Sequence, residues 1–247
     1  MTNEKERIAK YLARAGVASR RGVESMIAEG RVKLNGKVLE TPATLVDGSE
    51  DIRVDGKPVG GKEKTRLFLF HKPNDLVTSH RDEKGRLTVF DYLRERYPDL
   101  PRLISVGRLD LTTEGLLLLT NDGELSRFME LPKTGWVRSY RVRVFGEWTE
   151  DKTKKLAKGL KIDGVQYGPI KVDFDAESGD NRWLTVSLQE GKNREIRKVM
   201  DAVDVKVNRL IRTSYGPFRL GKLAKGAVVE VPEKQLTSSL PDKVFST

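Results

Sequence analysis

No cysteine occurs in the 247 residues, and histidine appears only at His71 and His80. The first absence excludes a disulfide framework, a thiol nucleophile and any cysteine-rich zinc site. The second, with no HExxH-type spacing around the two histidines, argues against a protein-held transition metal. Long apolar runs are also missing. Leu116 to Leu119 is four residues long, against about 18 for a membrane span, and the N-terminus is polar and charged, unlike a secretory leader. A cytoplasmic protein with no membrane partner is expected.

What the chain has is positive charge. Lysine and arginine total 46 against 36 acidic residues, a net of +10, and 37% of residues are hydrophobic, enough for a real core. An anionic partner follows, with nucleic acid the first candidate. The charge is uneven: residues 1–61 hold 11 basic and 9 acidic residues, whereas residues 190–225 hold ten and four. The strongest anion-binding stripe is therefore expected in the C-terminal half.

Residues 1–60 have the pattern of a small unit. Ile8, Leu12 and Ala15 lie at helical spacing until Gly16, and Ser19 can cap a second helix carrying Val23, Met26 and Ile27 that stops at Gly30. Val32 and Leu34 alternate with Lys33, and Asn35-Gly36 supplies a two-residue turn into Lys37 to Leu39. Asp55-Gly56 closes Ile52 to Val59 the same way. Residues 61–66 follow as a linker, 67–235 as a larger domain and 236–247 as a tail. In the larger domain, strands are expected at Leu67–Phe70, Leu103–Val106, Leu116–Thr120, Tyr140–Phe145, Trp183–Leu188 and Val228–Val231. Helices are expected at Val89–Tyr97, Glu124–Glu130, Glu150–Gly159 and Arg194–Ala202. Their irregular alternation excludes a simple βαβ chain and predicts an α+β domain with a mainly antiparallel sheet.

Two constellations carry chemistry. Arg20 and Arg21 follow the cap Ser19, where cations oppose the helix macrodipole by about 0.3–1 kcal/mol each. A phosphate at the helix N-terminus would reconcile them; two solvated surface arginines are an equal alternative on position alone. Asp110 lies between two apolar strands, in a loop at a sheet end where reactive groups are commonly presented, although spacing alone favours a turn-forming aspartate.

The surrounding motifs discriminate. Arg7 to Leu12, Ala15 to Arg21 and Gly30 to Gly36 together resemble the S4 RNA-binding module, of the αL type. The run Gly107-Arg108-Leu109-Asp110-Leu111-Thr112-Thr113-Glu114-Gly115, continuing to Gly123, resembles the signature of the RsuA/RluB-type pseudouridine synthases, closest to the RluB branch. Lys72-Pro73 with Gly85 to Val89, then Arg138-Ser139-Tyr140, Glu190 to Arg197 and Val207 to Phe218, match the family's other blocks in order. The resemblance implies an S4 module followed by a mainly antiparallel mixed-sheet catalytic domain, isomerising a uridine of ribosomal RNA, with the large subunit preferred.

The resemblance also implies roles. Asp110 would be the catalytic aspartate, Tyr140 would pack against the target base, and Arg197 would pair with Asp110. Arg108 would contact RNA around an extruded nucleotide, with Asn193 and Arg194 in the same site. Lys72, Arg20, Arg21, Arg31 and Lys33 complete the expected RNA contacts. Two positions depart from the pattern: Asp75 stands where a glycine is usual, and Arg138 where a lysine is. Moving the uridine bond from N1 to C5 involves no net redox and no external atom, so neither metal nor cofactor is required. One carboxylate suffices, as nucleophile at C1′ or the base, or as base at C2′. The partners expected are ribosomal RNA and assembling ribosomal particles, with the protein a monomer. The rivals are a non-catalytic S4-containing assembly factor and a DNA-binding helix-turn-helix protein, the latter explaining residues 6–30 only.

Overall fold

A computed structural model of the chain describes residues 5–178 and 181–241. The N-terminal part runs β1 (Glu6–Arg7), α1 (Ile8–Arg14), α2 (Arg20–Ala28), β2 (Val32–Leu34), β3 (Lys37–Val38), β4 (Leu45–Val46), β5 (Ile52–Val54) and β6 (Lys57–Pro58). Its local chemistry is the expected one. Ser19 Oγ accepts the Gly22 N–H at 3.0 Å and starts α2. Asn35-Gly36 and Asp55-Gly56 have consecutive positive φ angles of 50° and 80°, and 52° and 78°, the backbone a two-residue hairpin demands. These hairpins give a four-stranded sheet in the order β3-β2-β5-β6. Ile8, Leu12, Val23, Ile27, Val32 and Ile52 form its core with the two helices. One difference is β1, which precedes the helices and pairs with β4; two residues are too short to show a period.

The larger part continues as β7 (Leu67–Lys72), α3 (Val89–Arg96), β8 (Ile104–Val106), β9 (Thr113–Thr120), α4 (Gly123–Glu130), β10 (Arg138–Phe145) and α5 (Glu150–Ala157). Then come β11 (Leu160–Ile162), β12 (Val165–Tyr167), β13 (Lys171–Ser178), β14 (Asn181–Leu188), α6 (Glu195–Asp201), β15 (Lys206–Tyr215), β16 (Phe218–Arg219), β17 (Val228–Glu230) and α7 (Glu233–Ser238). The main sheet has the order β13-β14-β10-β15-β9-β7-β17, with β16 on β15 and β8 on β9. Every pairing in it is antiparallel except β9 with β15. This is the expected mixed, mainly antiparallel architecture.

Strand β9 is buried along its whole length. Leu117 and Leu119 enter one core with Phe68, Tyr140 and Val142, while Leu116 and Leu118 enter another with Val106, Met129 and Phe218. A strand covered on both faces needs no alternation, which explains the unbroken leucine run. Gly115 permits the parallel contact: its φ is +103°, and a Cβ there would stand 2.3 Å from the Arg212 carbonyl oxygen.

Three features go beyond the sequence reading. Strands β13 and β15 were not foreseen. The first is an edge strand with Lys171, Asp173 and Asp175 exposed, and the second buries Arg212 and Ser214 where the strand period calls for apolar residues. The chain beyond residue 235 is also no free tail as far as Leu240, because Leu236 and Leu240 are buried in the second core; residues 242–247 lie outside the described residues. The linker, finally, is fastened. Asn121 Nδ2 donates to Glu63 and to the Lys64 carbonyl. Asp122 caps α4 with Oδ1 while its Oδ2 accepts from Thr65 at 2.6 Å and pairs with Arg14 at 3.1 Å.

Candidate active site

Asp110 sits in the loop joining β8 to β9. The loop backbone is tied from several directions. Lys72, at the end of β7, sends its ammonium to the carbonyls of Pro73, Asp110, Leu111 and Thr113 at 3.0–3.3 Å. Thr78 Oγ1 donates to the Leu109 carbonyl at 2.8 Å, and Asp75 N–H donates to the Leu111 carbonyl at 3.0 Å. Asp75 does so from a left-handed backbone, φ 66°, which aspartate tolerates better than most residues; the turn thus survives without the usual glycine. Arg197 closes the far side by donating to Thr112 O and Oγ1 at 3.2 and 3.1 Å.

The Asp110 side chain, 35% exposed, opens into a cavity of about 690 Å³. Tyr140, Asn193, Arg194, Arg197 and Arg212 share that lining. Tyr140 is mostly buried at the start of β10 and stands opposite Arg212 of β15. Arg194 Nη1 lies 3.6 Å from Asp110 Oδ2. It reaches there because its backbone is left-handed, φ 51°, immediately before α6 begins at Glu195. Burial lowers the pKa of the Arg197 guanidinium from its ordinary value, with Arg194 acting the same way and Asp110 opposing. Glu195 is buried, and burial raises its carboxyl above the usual range.

Several expected roles change. Lys72 is not an RNA contact: it is fully buried, and burial pushes its ammonium down to about 8, with Asp75, Asp110 and Glu114 pulling the other way. Its work is inside, on the loop that carries Asp110. The charge partner of Asp110 is Arg194 instead of Arg197, whose Nη atoms are committed to Thr112 and the Val207 carbonyl. Arg31 is exposed but pairs with Asp55 at 2.7 Å and Glu29 at 3.0 Å. Arg138 donates to the carbonyls of Gln189 and Glu190 and to the Tyr215 hydroxyl, so it braces the cavity wall. Arg108 and Asn193 are exposed at the cavity. Arg20, Arg21 and Lys33 are exposed on the N-terminal module, and the first turn of α2 has no acidic residue.

Sequence reasoning missed Arg212, Glu195 and the cluster in which Glu114, 2% exposed, binds Arg209 at 2.8 Å and Lys225 at 2.5 Å. For Glu114 the available signal was a charge two residues before the buried leucine run of the same strand.

A small helix-and-hairpin module is thus joined to a mixed sheet in which a carboxylate, a tyrosine and arginines line one cavity. Residues 66–202 match the RNA pseudouridylate synthase family, and residues 6–52 match the S4 domain. The chain belongs to the RNA pseudouridylate synthase family and is an isomerase acting on RNA. It is 44% identical over 231 residues to an RNA pseudouridine synthase of Rickettsia felis, covering 94% of this chain and 99% of that one. It is 40% identical over 237 residues to the ribosomal large subunit pseudouridine synthase B of Yersinia pestis, covering 93% and 73%. A crystal structure of a pseudouridylate synthase shares the fold, with a TM-score of 0.66 at 24% identity over 95% of this chain and 99% of the other.

Proposed function

We propose that this enzyme isomerises one uridine of large-subunit ribosomal RNA, with Asp110 as its catalytic carboxylate. The observation that carries the reading is Asp110 itself, held on a pinned loop at the mouth of the cavity with Arg194 3.6 Å away. The Yersinia relative, 40% identical, is named for the large ribosomal subunit, which supports the choice of RNA.

The reaction breaks the bond from C1′ to N1 and forms one from C1′ to C5. Asp110 acts either by attacking C1′ or the base, or by taking the C2′ proton. Both roles need an ionised, oriented carboxylate; Arg194 supplies the charge, while Lys72, Thr78 and Arg197 fix the backbone behind it. The reacting atoms are inaccessible in a stacked helix, so the uridine leaves the stack and enters the cavity, with Tyr140 as its platform. Arg108 and Asn193 meet the RNA around it. On the S4 module, Arg20, Arg21 and Lys33 hold phosphates. The enzyme works as a cytoplasmic monomer on RNA or assembling particles.

The test is release of tritium from uridine labelled at C5 in large-subunit RNA, naked and in precursor particles, with pseudouridine mapping to locate the site. Wild type releases tritium, and Asp110→Asn is slower by at least about 10³-fold. No release by wild type from either substrate, or an active Asp110→Asn, overturns the reading.

A further inference from the structure

Arg212 lies in the middle of the main sheet and is 2% exposed. Its Nε donates to the Leu116 carbonyl at 2.7 Å, and its guanidinium carbon lies 5.1 Å from the centre of the Tyr215 ring. Its Nη2 is buried and has no protein hydrogen-bond partner. Among the described residues, no carboxylate lies within 4.0 Å of this guanidinium, whereas Arg209, on the same strand, is held by Glu114. A buried N–H without a partner is costly and uncommon. Arg212 also lines the cavity that contains Asp110. Arg197 has a buried free nitrogen too, Nε, but its Nη atoms are spent on the protein backbone and Thr112.

The reaction calls for a cation there. When the glycosidic bond breaks, its electron pair goes to uracil N1 and spreads onto the two carbonyl oxygens. At C1′ the deficit is filled by a bond to the Asp110 carboxylate or, as Asp110 takes the C2′ proton, by the C2′–H pair. C5 then bonds to C1′, the Asp110 bond breaks or the C2′ proton returns, and C5 loses its proton as N1 gains one. Between the two bond changes the detached base carries a full negative charge. Leu188, Ile196 and Leu210 in the cavity wall limit water, so a fixed donor acts strongly.

We propose that Arg212 is a further catalytic residue: its guanidinium, in the wall of the cavity, donates to a carbonyl oxygen of the flipped uracil and stabilises the detached uracil anion. This rests on the reading of the cavity as the uridine site. Along either of these sugar routes open to Asp110, Arg212 works at the base.

The experiment uses the full chain and synthetic RNA stem-loops carrying uridine, 2-thiouridine or 4-thiouridine at the mapped position, since sulfur accepts hydrogen bonds weakly. Arg212→Lys keeps charge but not the fork, and is expected to lower kcat about 10- to 100-fold; Arg212→Gln about 10²- to 10³-fold. RNA affinity changes less than about threefold in both. Wild type loses rate on one of the two thio substrates, and the Arg212 variants show no further loss on that one. The thio arm needs no variant to fold. Wild type indifferent to both sulfur substitutions, or variants as thio-sensitive as wild type, overturns the proposal. An active Asp110→Asn on the ordinary substrate overturns the Asp110 reading instead, so the two failures are distinguishable.

Discussion

Replacing Lys72 by methionine keeps the apolar stem and deletes the ammonium that binds four carbonyls. An ammonium has three N–H donors, and hydrogen bonds from a charged donor contribute about 1.5 kcal/mol each at the low end, roughly 4.5 in total. Burial offsets most of that: the fall of the ammonium from 10.5 to about 8 corresponds to about 3 kcal/mol disfavouring the charged form. The net loss is about 1.5 kcal/mol, a fall in Tm of roughly 3–6 °C for a domain of this size. The Thr78, Asp75 and Arg197 ties still hold the loop, so kcat in tritium release falls only about tenfold. RNA affinity stays unchanged, because Lys72 is fully buried. The pH dependence has a definite sign. Between pH 8 and 10.5 the unfolded chain holds the Lys72 proton more firmly than the folded one, so wild type gains stability relative to Lys72→Met as pH rises through that window. A Lys72→Met protein with wild-type Tm, or one that loses RNA affinity while keeping kcat, would refute this account.

Two further outcomes follow from the same geometry. Arg20→Ala with Arg21→Ala weakens RNA binding and lowers the slope of log affinity against log salt by about 2, leaving kcat at saturation intact; filter binding across a salt series measures it. Glu114, held down to about 2 by hydrogen bonds from Arg209 and Lys225, contributes stability that is complete above about pH 4.5 and lost as pH falls toward 2. Glu114→Gln therefore removes about 2 kcal/mol, discounted because both cations are half exposed, and flattens the acid limb of a urea-unfolding series.

The fold was legible wherever one local rule decides an element. Ser19 caps, the Asx-Gly turns reverse the chain, and the leucine run of β9 fills two cores. It was illegible where charge is buried, because Arg212 and Ser214 hide a strand from its apolar period. Asp110 and its neighbours could be located from their motif, and so could Tyr140. Lys72 and Arg197 could not be given their partners from the motif, since a basic residue on paper looks the same whether it meets a phosphate or four carbonyls. Only the backbone path around the β8–β9 loop separates these. The left-handed Arg194 is a similar case: no helix period announces that the residue before α6 turns back toward Asp110.

The parallel pairing of β9 with β15 has a temporal consequence. Thr113 to Gly115 meet Leu210 to Arg212, nearly a hundred residues later, so the cavity wall is among the last parts of the sheet to leave the ribosome during synthesis. A nascent chain that has exposed Asp110 still lacks α6, β15 and the closing strands. The enzyme is thus born without a pocket, and acquires one only after the stretch that ends near Tyr215 has threaded in beside β9.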